Sequence, residues 1–381
     1  MPFFNEKSSP KAYLDNSATT KPSENAIKAA EDAFAFSWGN PSSLHFMGSD
    51  ASSVVEKSRA SVAKILGCEE KEIYFSSGGT ASNNTAIFGG AAYGRRYGKR
   101  IVTTSIEHPS VSKCIDALEK DGFEIVRLSP DESGNIPCES IYNAIDENTA
   151  LVSIMAVNNE TGCILPIDKV KGIIRRKRSN AVFHTDAVQA FCKIPLSASV
   201  ADMISISAHK FHGIKGAGAL YVSKDVKIKP YLLGGGQENN LFSGTQNVPA
   251  IAALGAAAEE AENITENLEK VGLIRDYLVS KLTALENVFV NSPEGSSAYI
   301  TNISVLGVPS QVLVNGLSEM GICVSAGSAC SKGHRSETLK SMNLSPDRID
   351  SAVRISLSRY TEKSEIDLLT DGIEELIKQV R

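Results

Sequence analysis

The sequence lacks long apolar runs and cysteines spaced to bind a metal ion. No stretch of 18 or more consecutive apolar residues occurs in its 381 residues, so no membrane span is expected. Its seven cysteines are odd in number and include no Cys-x-x-Cys pair, which argues against a disulfide framework and a structural zinc site. The first residues also lack the charged and apolar regions of a signal peptide. These absences together favour a reducing, cytoplasmic setting.

A strong excess of charge of either sign is also missing. The chain carries 39 Lys and Arg against 44 Asp and Glu, a formal net charge of −5. Its one basic run, at 175–178, follows an apolar helical pattern, and cations are favoured at helix C-termini. We therefore expect a solvated helix end there rather than a nucleic-acid surface. With 42% hydrophobic residues, the chain is long enough for a large core and two domains.

Short apolar or β-branched runs alternate with helical patterns through the first two thirds of the chain. Strands are predicted at 72–75, 100–104, 124–128, 150–156, 182–185, 203–207 and 219–222. Helices are predicted at 24–37, 50–66, 82–96, 110–121, 138–145 and 167–177, with one long helix at 248–285. This alternation predicts an α/β fold, a largely parallel sheet with helices on both faces.

The pattern changes near residue 288. Strands at 288–290, 299–305 and 352–356, with helices at 310–320 and 364–380, predict an α+β C-terminal domain. We expect the first dozen residues to pack on it. The predicted division is a large domain at 15–262 and a small domain formed by 1–14 and 263–381.

The most informative residues are a lysine and an aspartate that follow two of the predicted strands. Lys210 ends an apolar run and precedes a glycine-spaced loop, and a lysine there can hold an aldehyde cofactor as a Schiff base. Asp186, in the segment His-Thr-Asp-Ala-Val-Gln at 184–189, is the acidic partner that a pyridinium nitrogen needs. Lysines are mostly surface residues. The pair together nevertheless suggests pyridoxal 5'-phosphate (PLP).

Other strand ends carry weaker signals of the same kind. Ser-Ser-Gly-Gly-Thr at 76–80 opens a helix, where backbone N–H groups can bind an anion, although a capped turn would look the same. His108 can stack on a ring or transfer protons, but a structural histidine is the commoner case. The amides at 158–159 can bond a phenolic oxygen or simply form a turn. Their convergence at the carboxyl ends of strands, where open α/β sheets bind ligands, is what favours a site.

At this point the chain resembles the PLP-dependent cysteine desulfurases of the class V aminotransferase-like family, which supply sulfur for iron–sulfur clusters. The resemblance runs from residue 13 to about 367. It is carried by the segments 13–20, 40–45, 77–84, 107–108, 158–162, 184–189, 207–210, 243–245, 325–330 and 353–359. It implies the PLP-dependent transferase fold type I, with a mostly parallel seven-stranded sheet in the large domain and a small α+β C-terminal domain.

The resemblance also implies a role for each matching residue. Lys210 would form the Schiff base, and Asp186 would keep the pyridine nitrogen protonated. Arg354 would bind the carboxylate of L-cysteine, for which guanidinium geometry is suited. The other implied roles are phosphate binding by Gly79, Thr80, Ser207 and His209, contact with the phenolic oxygen or the substrate by Gln189 and Asn159, ring stacking by His108, and a contact from Thr245 to the phosphate of the partner subunit in a homodimer.

Cys330 distinguishes a desulfurase from an ordinary aminotransferase. It lies in Ser-Ala-Gly-Ser-Ala-Cys-Ser-Lys-Gly-His-Arg-Ser at 325–336, a composition typical of an exposed loop. The nearby Lys332, His334 and Arg335 favour a thiolate, the reactive form. Cys330 would take the sulfur of L-cysteine as a persulfide, leave alanine, and pass the sulfur to an acceptor or scaffold protein.

Three residues depart from the pattern of the family. Ala81 stands where a glutamate is usual, and Asn239 and Phe242 stand where arginines are expected near the Ser-Gly-Thr turn. Alternatives from the same fold are a selenocysteine lyase or another class V PLP enzyme. A different class of alternative is a low-activity sulfur-relay homologue.

Overall fold

A computed structural model describes residues 9–326 and 335–380 of the protein. The strands are β1 (Ala12–Tyr13), β2 (Ile73–Ser76), β3 (Arg100–Thr104), β4 (Glu124–Leu128), β5 (Thr149–Ser153), β6 (Val182–Asp186), β7 (Met203–Ser207), β8 (Gly218–Val222), β9 (Val288–Val290), β10 (Ile300–Val305), β11 (Ile322–Cys323), β12 (Ser325–Ala326) and β13 (Ala352–Ser356). The α-helices are α1 (Glu24–Phe36), α2 (Phe46–Leu66), α3 (Gly79–Gly94), α4 (Pro109–Lys120), α5 (Cys138–Ala144), α6 (Ile167–Arg176), α7 (Val248–Glu260), α8 (Ile264–Thr283), α9 (Ser310–Glu319), α10 (Glu337–Ser341), α11 (Pro346–Asp350) and α12 (Lys363–Val380).

The described residues form two compact units. The larger unit contains Thr20–Asn158 and Ile164–Thr265, and the smaller unit contains the remainder, including Asn159–Cys163. That five-residue segment falls inside the range 15–262 expected for the large domain. Hydrogen bonds explain its place, because the backbone N–H of Ser297 donates to the carbonyl of Gly162 (2.8 Å) and Asn302 Nδ2 donates to the carbonyl of Glu160 (3.3 Å).

A seven-stranded sheet with the order β2-β8-β7-β6-β5-β3-β4 organises the larger unit. All neighbouring pairs from β7 to β4 are parallel, and β8 is antiparallel to both β2 and β7. The strands β5, β6 and β7 are buried along their whole length, as expected for parallel strands covered on both faces. The predicted mostly parallel, seven-stranded α/β fold is confirmed.

Helix α3 packs unusually close to this sheet because its residues are small. Ala86 and Ala91 are fully buried. A Cβ added to Gly94 would lie 2.2 Å from the carbonyl oxygen of Ala150 in β5, so only glycine allows this contact. The helix therefore rests directly on the backbone of the sheet.

The smaller unit is an α+β structure. Its antiparallel sheet has the order β12-β13-β10-β9, and the short strands β1 and β11 pair in parallel. Helices α9 and α12 pack together, and α12 also contacts β1. The α+β prediction for this part of the chain is confirmed.

The prediction of one helix from 248 to 285 is wrong, because α7 and α8 are separate. The N–H of Ala261 bonds back to the carbonyls of Ala257, Ala258 and Glu259 and closes α7, and the N–H of Ile264 bonds to the carbonyl of Glu262. Asn263, between them, belongs to a residue type that favours turns over helix interiors.

None of the described helices is both long enough and apolar enough to cross a bilayer.

Candidate active site

The larger unit brings several of the expected site residues to one edge of its sheet. Strands β2, β3, β5, β6 and β7 run in the same direction, so their carboxyl ends lie along the same edge. Asp186 ends β6, Lys210 follows β7, and His108 follows β3. Ligands of open α/β sheets bind at this edge.

Asp186 is a buried carboxylate with 6% of its surface exposed. Its Oδ2 accepts a hydrogen bond from Asn83 Nδ2 (2.7 Å), and its Oδ1 accepts one from the backbone N–H of Val188 (2.9 Å). Asn83 Nδ2 also donates to Ser110 Oγ (2.8 Å), which lies 2.8 Å from His108 Nδ1. Hydrogen bonds therefore connect the acid at the end of β6 with the histidine beyond β3.

His108 caps the N-terminus of helix α4. Its Nδ1 accepts a hydrogen bond from the backbone N–H of Ser110 (3.1 Å), so the proton of the neutral ring lies on Nε2. Burial lowers the pKa of His108 from its ordinary value; the Asp186 carboxylate opposes this shift and the Lys210 ammonium reinforces it. The ring is thus a neutral donor through Nε2 at physiological pH, within electrostatic range of both charged residues.

The turn between β2 and α3 has the properties of an anion site. Gly78, at the N-cap of α3, has φ 143° and offers no side-chain cap, so the first N–H groups of the helix are left to a ligand. A Cβ on Gly79 would lie 2.8 Å from Val188 Cγ2 and 3.4 Å from Ser207 Cβ, so a larger residue would not fit there. Thr80 follows directly in the first turn of the helix.

Lys210 lies at the end of a short 3-10 turn, Ala208–Lys210, and is half-buried. Burial, and after it the positive charges of Lys210, Lys215 and Lys193 in that order, lower the pKa of the neighbouring His209 to about 4. The N–H and hydroxyl of Thr20 both donate to the carbonyl of His209, at 2.9 and 3.1 Å, and hold this turn in place.

Two other expected residues of the larger unit have different surroundings. Gln189 is buried, and its Oε1 accepts a hydrogen bond from Lys193 Nζ (2.8 Å). Thr245 is exposed in the loop before α7, where the N–H of Gly244 donates to Gln237 Oε1 (2.9 Å).

Three residues that shape this site are not among those predicted from the sequence. Asn83 lies within the matched segment 77–84, which was a usable signal, but its bond to Asp186 depends on the tertiary fold. Glu107 is buried, and burial raises the pKa of its carboxyl to about 8. Lys193 is 4% exposed and resembles a surface lysine in the sequence.

The smaller unit contains Arg354 and Asn159. Arg354 is almost fully buried; its Nη2 donates to Asp15 Oδ1 (2.8 Å) and its Nη1 to the carbonyl of Asn159 (3.0 Å). Its Nε has no hydrogen-bond partner among the described residues. A buried guanidinium with a remaining donor is suited to a carboxylate.

Cys330, Lys332 and His334 lie outside the described residues. Arg335, expected to favour a thiolate, forms a two-pronged ion pair with Asp350, at 2.7 and 2.6 Å. Among the described cysteines, Cys138 is exposed, whereas Cys114, Cys163 and Cys192 are buried and Cys68 and Cys323 half-buried. Burial raises the pKa of Cys114 to about 11 and that of Cys68 to about 12, so both thiols stay protonated at neutral pH.

These features fit PLP. The glycine turn and helix N-terminus suit a phosphate, the buried Asp186 suits a protonated pyridine nitrogen, and Lys210 suits the aldehyde. The fold and the site together define a PLP-dependent enzyme of fold type I.

Comparison with known proteins gives the family. The model of the class-V aminotransferase family matches residues 12–369, and the chain belongs to this family. "Cysteine desulfurase 2" of Trichormus variabilis is 39% identical over 376 residues, which cover 97% of this chain and 94% of that protein. "Cysteine desulfurase IscS" of Dictyoglomus turgidum is 37% identical over 376 residues, covering 97% and 95%. A solved structure described as a NifS-like protein has a TM-score of 0.91 and 36% identity, covering 97% of this chain and 99% of that one.

Proposed function

We propose that this protein is a cysteine desulfurase that converts L-cysteine to L-alanine and takes up the sulfur on Cys330. The observation that carries the proposal is the hydrogen-bonded and electrostatic grouping of Asp186, His108 and Lys210 at the carboxyl edge of the sheet. The names of the relatives, which cover almost the whole chain, supply the substrate class. No observation favours a selenocysteine lyase or an inactive relay protein.

Residues at the ends of strands and at the ends of helices would hold the cofactor. Asp186 is suited to hold the pyridine nitrogen protonated, because Asn83 and the N–H of Val188 stabilise its ionised form. The other proposed contacts are with the phosphate for Gly79, Thr80, Ser207 and His209, with the phenolic oxygen or the substrate for Gln189 and Asn159, and with the ring face for His108.

When bound, PLP supplies an electron sink for the carbanion at the substrate Cα. Lys210 would hold the aldehyde of the cofactor and, when its amine is free, would take the Cα proton of the substrate as a base. His108, which is neutral and protonated on Nε2, would donate a proton to the carbon fragment that leaves as alanine. Arg354 holds the substrate carboxylate through its remaining donors, and the Asp15 carboxylate fixes its guanidinium plane.

Sulfur transfer requires a thiolate on the enzyme. The Cys330 sulfur attacks the substrate sulfur, so a new S–S bond forms while the substrate Cβ–S bond breaks. The electron pair of the broken bond stays on the carbon fragment, which takes up protons and leaves as alanine. Cys330 is then a persulfide whose outer sulfur is available to an acceptor protein for iron–sulfur cluster or thio-cofactor assembly.

A homodimer is the proposed assembly, and the cytoplasm its proposed setting. Five large apolar side chains between residues 34 and 46 are 68% to 105% exposed, which is costly in a monomer and typical of an interface. They are Phe34, Phe36, Trp38, Leu44 and Phe46. In this assembly the exposed Thr245 would reach the phosphate in the partner subunit. We propose residues 15–262 as the cofactor domain, and 1–14 with 263–381 as the small domain that contains Cys330.

Replacement of the sulfur-accepting cysteine tests the proposal. Alanine formation from L-cysteine should fall by at least about 100-fold in Cys330→Ser, because the activated nucleophile is lost. The absorbance of bound PLP should remain. Cys138→Ser, which removes an exposed cysteine of the larger unit, is the matched control and should keep full activity.

Alanine and sulfide are measured with and without dithiothreitol. Persulfide on Cys330 is located by alkylation and mass spectrometry. Alanine formation that is undiminished in Cys330→Ser would contradict the role of Cys330. If the wild-type protein carries PLP on Lys210 but forms no alanine, the proposed desulfurase activity is contradicted.

A further inference from the structure

Lys193 is a buried lysine next to the proposed cofactor site, and the chemistry described above does not use it. Only 4% of its surface is exposed. Its Nζ donates a hydrogen bond to Oε1 of Gln189, four residues earlier, at 2.8 Å. A buried ammonium is costly unless it is paired or hydrogen-bonded, so the bond to Gln189 is part of what stabilises the charge at this position.

The backbone turns Lys193 back towards Gln189. The N–H of Phe191 bonds to the carbonyl of Ala187 (2.9 Å), and the N–H of Lys193 bonds to the carbonyl of Ala190 (3.0 Å). Between them Cys192 has φ 62°, a left-handed conformation that is unfavourable for a non-glycine residue. Strain of this kind persists where the surrounding structure fixes it, often at functional sites.

The Gln189 amide can bind Lys193 in only one orientation. An ammonium donates only, so it must meet the amide oxygen, and the Nε2 group is then the end that faces other partners. The positive charge of Lys193 is also felt nearby, because it contributes to the lowered pKa of His209 after burial, Lys210 and Lys215. The Lys193 ammonium therefore polarises the Gln189 amide through its oxygen. The N–H groups of this amide become stronger donors as a result.

We propose that Lys193 is a positioning residue that orients Gln189 so that Nε2 donates to the phenolic oxygen of PLP, and that by polarising this amide it favours the ionised form of that oxygen. The inference rests on the proposed function for the cofactor and for Gln189. It adds a residue that acts through another and controls the charge distribution of the bound ring.

The test is a spectrophotometric pH titration of the PLP-loaded protein. Lys193→Met keeps the length of the side chain and removes the charge. It should raise the pH midpoint of the visible absorbance change by about 1 unit, a tenfold change in the ionisation equilibrium. Lys215→Met is the matched control, because Lys215 also acts on His209 but is exposed. Its midpoint should move by less than about 0.3 unit, since exposed charges are screened.

A second pair of variants separates this effect from a general loss of structure. Gln189→Leu should raise the midpoint by a similar amount, and adding Lys193→Met to it should raise it no further. An unchanged midpoint in Lys193→Met, or a further rise in the double variant, overturns the inference. If Lys193→Met does not fold, an unchanged midpoint in Gln189→Leu overturns it.

The same samples test the underlying proposal independently. Borohydride reduction followed by peptide mapping shows whether PLP is attached to Lys210, and the alanine assay shows whether the enzyme is a desulfurase. Both can succeed while the midpoint stays fixed, so a failure of this inference is distinguishable from a failure of the proposed function.

Discussion

Glu107 is a carboxylic acid that the fold keeps from ionising. Thr104 Oγ1 and the N–H of Met155 both donate to its Oε1, at 2.7 and 2.9 Å, while Oε2 has no partner among the described residues. Burial and, to a smaller extent, the negative charge of Asp186 raise its pKa to about 8. At neutral pH the acid beside His108 is therefore uncharged.

Glu107 should make the stability of the protein depend on pH. Its pKa is about 4.5 in the unfolded chain and about 8 in the folded protein, so between these values only the folded state binds the proton. The contribution of Glu107 to stability is fully present below pH 4.5. It falls as the pH rises towards 8, with a slope of up to about 1.4 kcal/mol per pH unit. Relative to Glu107→Gln, the wild-type protein should lose free energy of unfolding between pH 5.5 and 7.5.

Urea denaturation of both proteins at several pH values measures this difference. Parallel stability curves for wild type and Glu107→Gln would show that Glu107 ionises normally in the folded protein.

The position of two candidate residues at strand ends was predictable from the sequence. Asp186 and Lys210 stand next to the strands β6 and β7 for which the sequence has clear apolar, β-branched runs. Lys193 could not be predicted in this way, because its burial depends on a turn through the left-handed Cys192. A lysine after an apolar segment has the same sequence signature whether it is buried or exposed.

A buried ion pair stabilises the loop between β8 and α7. Glu238 accepts hydrogen bonds from Arg59 Nη1 (2.8 Å) and Nη2 (3.1 Å) and from the N–H of Phe75 (2.8 Å). Glu238, Asn239 and Asn240 all have positive φ, so the loop makes a left-handed turn at this point. The ion pair holds the strained turn against helix α2 and strand β2, ahead of the exposed Thr245.

Removal of one partner of this pair should be strongly destabilising. Glu238→Ala removes the buried carboxylate and leaves the buried Arg59 with the exposed carboxylate of Glu56 (3.1 Å), and should lower the free energy of unfolding by about 3–5 kcal/mol. Glu259→Ala removes a surface carboxylate 3.9 Å from Lys57 and should change it by less than about 0.5 kcal/mol.

Chemical denaturation of the two variants provides the comparison. Equal losses in Glu238→Ala and Glu259→Ala would mean that the buried pair contributes no more than a surface one.

At the scale of elements, the described strands of three or more residues were predictable from the sequence and the two-residue strands were not. The bounds of β3, β4 and β7 agree with the predicted 100–104, 124–128 and 203–207. The two-residue strands β1 and β11 were missed, because so short a strand exists only through its pairing with a segment some 310 residues away. The break between α7 and α8 was missed because Glu262 and Asn263 do not interrupt the apolar spacing of the surrounding sequence.

At the scale of the whole molecule, the exposed apolar side chains between 34 and 46 predict self-association. Leu44→Glu places a charge where the proposed dimer buries a leucine, and should weaken the dimer by at least about tenfold. Leu273→Glu is the matched control, because Leu273 is a similarly exposed leucine on α8 and should leave the dimer intact.

Sedimentation velocity at several protein concentrations measures the dissociation of both variants. A monomeric wild-type protein, or equal weakening by the two substitutions, would contradict an interface at residues 34–46.

Helix α3 has a further consequence for how the site responds to its ligands. Gly94 brings the far end of the helix onto the backbone of β5, and Gly79 brings its first turn against Val188 and Ser207. Because no flexible side chain separates the helix from the sheet at these two points, the helix cannot slide or tilt to suit a bound group. The first turn of the helix is thus fixed against the sheet, and a phosphate-bearing ring bound there would adapt by swinging about its phosphate.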